Sequence, residues 1–425
     1  MKFRCRESRL QGDVRMPGSK SHTVRAVTIA AFANGTSIIR QPLLSTDTES
    51  ARCAVRALGA EIEITDESWR VQGTGGEIKP KQQCLDLGNS GTSMRILMGF
   101  AALIPTGDKI ILDGDAQLRK RPAEPLLKAL NELGAKARSI HENECPPFEI
   151  QGRLQGGKTV VEAFSSQYLT SLLLACPMAD NDTSIEVPVL YESQYIDMTL
   201  DWLRYTGIKI EQENKKRFQI PGGQTYQSFD RTIPADFSSA SFFFGAAAIG
   251  ANCITCQGLD MNDSQGDKAV LDYLRRMGAD VQVDNDSIRV AGGNLQGIDI
   301  DMNETPDALP VMAVVGCFAE GATRLRNVAQ ARIKETDRIA VMAKELRKLG
   351  AQVEEQEDGL TVYKSDLKAA RVDGHNDHRI VMALAVAGLC IPGTTEITGA
   401  QAAAVTFPDF DTLMREIGGR IEALT

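Results

Sequence analysis

A chain of 425 residues, 43% hydrophobic and 24% charged, is expected to be globular and long enough for two domains or more. Its 47 Lys and Arg against 56 Asp and Glu leave a formal charge of -9, which argues against nucleic acid as a general partner and makes any convergent group of cations a local device. The charged opening M-K-F-R-C-R-E-S-R lacks the apolar core of a signal peptide, and nearly apolar runs such as 380 to 391 fall short of the roughly 18 residues of a membrane span, so the expectation is a cytoplasmic protein without a membrane partner.

In chain order, the strand-like stretch M-K-F-R-C-R-E-S-R-L-Q-G-D-V-R-M comes first and stands outside the repeat that follows. Unit one has a polar helix start, G-S-K-S-H-T (18 to 23), then a turn and short strand, N-G-T-S-I-I (34 to 39), then an amphipathic helix ending at V-R-A-L-G-A (55 to 60). The same three pieces return as G-N-S-G-T-S, T-G-D-K-I-I and L-N-E-L-G-A in unit two, and as F-S-S-Q-Y, N-D-T-S-I-E and W-L-R-Y-T-G-I in unit three. The stretch 221 to 232, P-G-G-Q-T-Y-Q-S-F-D-R-T, is the one linker-like break. Unit four follows with D-F-S-S-A-S, G-A-N-C-I-T and Y-L-R-R-M-G-A, unit five with E-T-P-D-A-L, G-A-T-R-L-R and E-L-R-K-L-G-A, and unit six with H-N-D-H-R-I, G-T-T-E-I-T and L-M-R-E-I-G-G.

The helix-ending glycines, Gly59, Gly134, Gly207, Gly278, Gly350 and Gly418, recur about every 70 residues and suit left-handed C-caps. Unit six ends at G-G-R-I-E-A-L-T, short of its second hairpin strand, so the N-terminal strand is expected to complete it. The chain would then cross twice between two three-unit domains, 1–18 with 231–425, and 19–230.

Ser, Thr, Asn and Asp at the six helix starts are ordinary N-caps, yet a helix N-terminus also offers unpaired N–H groups and a positive dipole end to an anion. Near those starts or in adjoining loops lie Lys20, Arg25, Arg95, Arg121, Lys334, Arg338 and Arg379, interleaved with Ser21, Thr92, Ser165, Ser166, Gln167 and the carboxylates Asp47, Asp307 and Glu335. Such a set in an acidic protein points to a small substrate with several negative charges, and the carboxylates are candidates for proton transfer. In R-I-K-E-T-D-R (332 to 338) a continuous helix would stack Lys334 on Arg338, a like-charge pair one turn apart. G-S-K-S is not a P-loop, because Ser19 replaces the glycine required before the lysine, and no G-x-G-x-x-G follows a strand. Nine cysteines scattered along the chain read as reduced thiols. Cys253 and Cys256 alternate on a strand, with no second pair to complete a zinc site.

P-G-S-K-S-x-x-x-R (17 to 25), L-G-N-S-G-T-S-M-R (87 to 95), K-R-P (120 to 122), S-S-Q-Y-L-T (165 to 170), S-Q-Y-I-D-M-T (193 to 199), P-D-A (306 to 308), R-I-K-E-T-D-R, N-D-H-R (376 to 379) and T-F-P-D-F (406 to 410) together resemble the EPSP synthase family of enolpyruvyl transferases, in order and over nearly the whole chain. The resemblance implies a two-domain inside-out α/β barrel of six βαβαββ units with an active site in the interdomain cleft. It also implies transfer of the enolpyruvyl group of phosphoenolpyruvate to the 5-hydroxyl of shikimate 3-phosphate in the shikimate pathway, through a tetrahedral intermediate. On that analogy Lys20, Ser21, Arg25, Ser165, Ser166, Gln167, Ser193, Tyr195, Asp307 and Lys334 would hold shikimate 3-phosphate. Lys20, Gly91, Arg121, Gln167, Arg338 and Arg379 would surround phosphoenolpyruvate. Asp307 would be the base at the 5-hydroxyl, and either Glu335 or Lys20 would protonate the methylene carbon. No metal or organic cofactor is implied, and a monomer is expected.

Some positions depart from the family pattern. Val405 stands where many members have lysine, Gln330 where an asparagine often meets the shikimate phosphate, and Ile96 where some have proline, while Gly91 resembles the glyphosate-sensitive members. The sister transferase acting on UDP-N-acetylglucosamine has a reactive cysteine where this chain has Ala116. A non-catalytic anion-binding protein on the same scaffold would gain nothing from Asp307 and Glu335 among the arginines.

Overall fold

The computed structural model describes residues 1–65 and 67–425, and the chain divides into two compact units, Met1–Ser19 with Pro234–Thr425, and Lys20–Ile233. The expected breaks at 18/19 and 230/231 fall slightly early. Ser19 N–H still donates to Pro234 C=O at 2.8 Å in the first unit, and Asp230–Thr232 is a strand paired with Thr36–Arg40 in the second. Among the described residues no helix is long and apolar enough to cross a membrane.

The fold is α/β and the repeat is physical. Among the described residues each of six sheets has four strands in one order: an edge strand, a second strand parallel to it, and a further antiparallel pair, joined as a hairpin in the first five units. Unit two shows the pattern complete, with Cys84–Asp86 parallel to Lys109–Asp113, which pairs with Phe148–Gln151 and through it Lys136–Ser139. In unit six the missing hairpin strand is Lys2–Arg6, which lies between Thr394–Thr398 and Arg420–Leu424. The next N-terminal strand, Gln11–Arg15, goes elsewhere, running parallel to Cys253–Gln257 as the edge strand of unit four. Asp230–Thr232 supplies the corresponding edge to unit one. Each crossing segment therefore completes a sheet.

Sheets lie outside and helices inside, because three helices of each unit are apolar all round. In Lys20–Ile233 these are Lys20–Phe32, Gly91–Ala101 and Ser166–Ala175, and the second is buried at every residue. The other unit has Phe237–Ala248, Leu309–Gly316 and His378–Cys390, the first two likewise buried throughout. Each unit has its own continuous core. Strands show one buried face, as in the alternation of Lys2–Arg6 and Cys253–Gln257. Small residues let the inner helices touch: Gly99 N–H donates to Ser171 Oγ at 3.1 Å, and a Cβ at Gly99 would lie 2.7 Å from the Ser171 carbonyl oxygen. All six helix-ending glycines have positive φ, from 83° to 124°.

Candidate active site

In the unit Lys20–Ile233 the inner helices begin side by side, as contacts between their first turns show. Gln167 Nε2 donates to Thr92 Oγ1 at 3.2 Å, and Arg95 Nη1 donates to Gln167 Oε1 at 2.8 Å. The starts are capped from the sequence itself, by Ser90 on Ser93 N–H and by Ser165 on Gln167 N–H. Arg121 reaches this cluster from the loop after the short Leu118–Lys120 turn, donating to Asn89 Oδ1 at 2.8 Å. It packs on Gly91, where an added Cβ would come within 2.6 Å of Arg121 Nη1. Lys20 opens its helix with Nζ 3.2 Å from Asp47 Oδ2, at side-chain exposures of 15% and 6%. Gly91, Arg121, Gln167, Arg95 and Thr92 are thus in direct contact.

A second group in this unit forms where the loops before two helices run together. Ala163 pairs with Leu190, and Ser166 Oγ donates to the buried Glu192 carboxylate at 3.0 Å, which brings Ser165 and Ser166 beside the turn carrying Ser193 and Tyr195. Arg25 lies beneath them, fully buried. Its donors reach Ser21 C=O, Thr199 Oγ1, Thr170 Oγ1 and Tyr195 C=O at 3.0 to 3.4 Å. Burial pushes its guanidinium down to about 10, still charged at neutral pH. As it stands Arg25 ties three helices together, a structural duty that its place in the motif did not reveal.

The other unit gathers Asp307, Glu335, Arg338 and Arg379. Asp307 sits on the turn Pro306–Ala308 leading into an inner helix, and Arg379 on the first turn of His378–Cys390. Arg338, 1% exposed, donates to three carboxylates: Asp307 Oδ1 at 2.7 Å, Glu335 Oε2 at 2.6 Å, and Asp377, reached by Nε at 2.8 Å and Nη2 at 3.2 Å. Arg379 holds Asp307 from the other side, with Nη2 to Oδ2 at 3.3 Å, and donates to Ser238 C=O at 3.1 Å. Burial alone would raise the Asp307 carboxyl, but Arg379, Arg338 and Lys334 outweigh it and hold the group well below the ordinary carboxylate range. For Arg338 burial opposes the charge, and Asp377, Glu335 and Asp307 together more than restore it.

The like-charge stack expected of Lys334 and Arg338 does not form. Asp337 caps the helix Arg338–Lys348, its carboxylate accepting from Ala340 N–H at 3.0 Å, and Lys334 lies before the helix in a bend after the turn Ala329–Ile333. Arg338 is compensated by carboxylates rather than stacked on a lysine.

Sequence reasoning passed over Asp377 as a ligand. It is fully buried, caps its helix through Arg379 N–H at 2.9 Å and also accepts from Thr336 Oγ1 at 3.0 Å. Its identity as an N-cap was visible, but its hold on Arg338 was not. Asp267 was also missed. Burial, with Asp307 adding to it, pushes this carboxyl up to about 7. His378 is buried and pushed down to about 3, a neutral imidazole, first by burial and further by Arg379. Of the departures, Ile96 is core, Gln330 is buried and donates to Asn303 C=O at 2.9 Å, and Val405 ends the turn Ala400–Val405.

Chemically, one unit presents Lys20, Arg121 and a run of hydroxyl and amide donors, and the other presents two arginines already bound to a carboxylate. Residues 5–414 match the family model of EPSP synthase (3-phosphoshikimate 1-carboxyvinyltransferase). The chain is 47% identical to the 3-phosphoshikimate 1-carboxyvinyltransferase of Ruminiclostridium cellulolyticum over 100% of both chains, and 48% identical to that of Acetivibrio thermocellus over 99% of both. Among solved structures it is similar to an EPSP synthase from Acinetobacter baumannii, with a TM-score of 0.84 and 29% identity over 99% of this chain and 100% of that one. It shares its fold with the enolpyruvyl transferase NikO from Streptomyces tendae, with a TM-score of 0.81 and 19% identity over 99% of this chain and 98% of that one.

Proposed function

The chain belongs to the EPSP synthase family, and on that premise we propose how its residues transfer the enolpyruvyl group of phosphoenolpyruvate to the 5-hydroxyl of shikimate 3-phosphate with release of phosphate. The observation that carries the mechanism is Asp307 shared between Arg338 and Arg379. A carboxylate so held is a poor base. Phosphoenolpyruvate brings a carboxylate and a phosphate, and these compete with Asp307 and Glu335 for the same guanidinium donors. As the arginines turn to the substrate, Asp307 loses the charges that depress it and becomes basic enough to take the 5-hydroxyl proton. The substrate thus arms the base that attacks it.

The 5-oxygen then adds to C2 of phosphoenolpyruvate while C3 gains a proton, giving a tetrahedral ketal. In the elimination a methyl proton returns to the group that protonated C3, the C2–O bond to phosphate breaks, and the departing phosphate takes the proton held by Asp307. The first protonation is assigned to one of two groups, Lys20, whose Nζ lies 3.2 Å from Asp47 Oδ2, and Glu335, which Arg338 releases together with Asp307 as it turns to the substrate. Arg121, Arg338 and Arg379 offset the negative charge of the transition state. Ser21, Arg25, Ser165, Ser166, Gln167, Ser193, Tyr195 and Lys334 are assigned to shikimate 3-phosphate, and Gly91 and Gln167 to phosphoenolpyruvate. A monomer remains the expected state, and nine free cysteines suit a reducing compartment such as the cytoplasm.

Purified protein should release phosphate from phosphoenolpyruvate only when shikimate 3-phosphate is present, and Asp307→Asn should lower kcat by about 100-fold or more. Release with UDP-N-acetylglucosamine in its place would reassign the substrate, no release with either would favour anion binding without turnover, and an active Asp307→Asn would remove the base.

A further inference from the structure

The hairpin joining Glu211–Glu213 to Arg217–Ile220 turns through Asn214 and Lys215, both with left-handed backbone at φ 48° and 56°. Asparagine tolerates that region, whereas lysine is uncommon there. The turn is nevertheless well closed, Lys216 N–H donating to Glu213 C=O and Lys215 N–H to Gln212 Oε1, each at 2.9 Å. Its consequence is directional. While Lys216 and Arg217 are exposed, the half-buried Lys215 folds back over the first turn of the helix Gln194–Tyr205, with Nζ 2.6 Å from Asp197 Oδ2 and 3.4 Å from Ser193 Oγ.

Ser193 precedes that helix without spending its hydroxyl on a cap. Next to it, the buried Glu192 carboxylate accepts from Ser166 Oγ. A phosphate dianion resting on Ser166 and Ser193 would therefore face a carboxylate at close range, and hydroxyls alone cannot offset that repulsion. Arg25, assigned to the same substrate, divides its donors among Ser21, Thr170, Tyr195 and Thr199, and Lys334 belongs to the other unit. Lys215 is a cation of this unit that already touches one of these serines.

We propose that Lys215 binds the phosphate of shikimate 3-phosphate, supplying the charge that balances Glu192 and selecting the phosphorylated over the unphosphorylated substrate. The proposal rests on the assignment of Ser166 and Ser193 to that substrate. Within it, Asp197 holds Lys215 in place until the phosphate arrives and shares the ammonium afterwards.

Steady-state kinetics of the full chain decide it. Lys215→Met should raise KM for shikimate 3-phosphate about tenfold, the scale of one partly exposed charge-assisted hydrogen bond, with KM for phosphoenolpyruvate unmoved. The preference for shikimate 3-phosphate over shikimate should fall by the same factor. Asp197→Asn separates binding from a merely structural ion pair: it should leave KM for shikimate 3-phosphate unchanged or lower it, since the lysine keeps its charge. An unchanged KM in Lys215→Met, or the same rise in Asp197→Asn, overturns the role of the lysine. Wild-type protein that does not turn over shikimate 3-phosphate at all would instead sink the substrate assignment on which the role rests.

Discussion

At Gly91 the missing side chain is a spatial requirement. A Cβ there would lie 2.6 Å from Arg121 Nη1 and 3.1 Å from Arg95 Nη1, and both are ends of flexible side chains that can retreat without disturbing the backbone. Gly91→Ala should therefore fold normally but raise KM for phosphoenolpyruvate about fivefold or more, by displacing one charged donor, with little change in KM for shikimate 3-phosphate. Comparing the two KM values checks this, and equal rises would point to a general distortion. Gly91 was legible in G-N-S-G-T-S because motif and helix start coincide there. Asp377 was half legible: an aspartate before a helix announces a cap, but its bond to Arg338 spans 39 positions, and no local pattern reports a partner that far away. Lys334 was misread for an identifiable reason. Asp337 directly before R-I-A-V-M is itself an N-cap, and giving it that weight would have started the helix at Arg338 and left Lys334 outside.

The inner helices were the most legible elements, since polar first turns followed by wholly apolar bodies describe nothing else in a chain this charged. What they conceal is the charge state of the groups at their starts. His378 begins its helix buried and neutral, pushed down from 6.5 to about 3. Below pH 6.5 the unfolded chain takes up a proton there that the folded chain refuses until about pH 3, so stability falls as pH drops through that window and the loss is complete below it. Asp267, pushed up to about 7, contributes with the opposite sign over the same range, so the readout is the effect of the substitution: lowering pH from about 6.5 to 5 should cost the wild type more melting temperature, or gain it less, than it does His378→Asn. An equal response in the two would place the imidazole within reach of water. The strand partners were harder to read than the helices: the sequence signalled that Lys2–Arg6 completes the sixth sheet, but Gln11–Arg15 in the fourth and Asp230–Thr232 in the first carry no mark of their destination. Short strands name a face, not a neighbour.

Across the whole molecule, the insertion of one unit into the other gives the two unequal independence. Lys20–Ile233 contains every strand of its three sheets and its own core, so residues 20–233 expressed alone should fold, with a cooperative thermal transition and no turnover. The complementary deletion should not be tolerated. Removing residues 1–15 takes out a central strand of one sheet and an edge strand of another, and loss of cooperative unfolding in that unit, seen by calorimetry, is the expected result. A folded 16–425 chain would contradict it. The same threading orders events on the ribosome. Lys2–Arg6 is translated before the enclosed unit, yet its neighbours, Thr394–Thr398 and Arg420–Leu424, are translated after it. The enclosed unit can settle while synthesis continues, whereas the leading strand must wait, its hydrogen-bonding edges open, until those distant partners have been made.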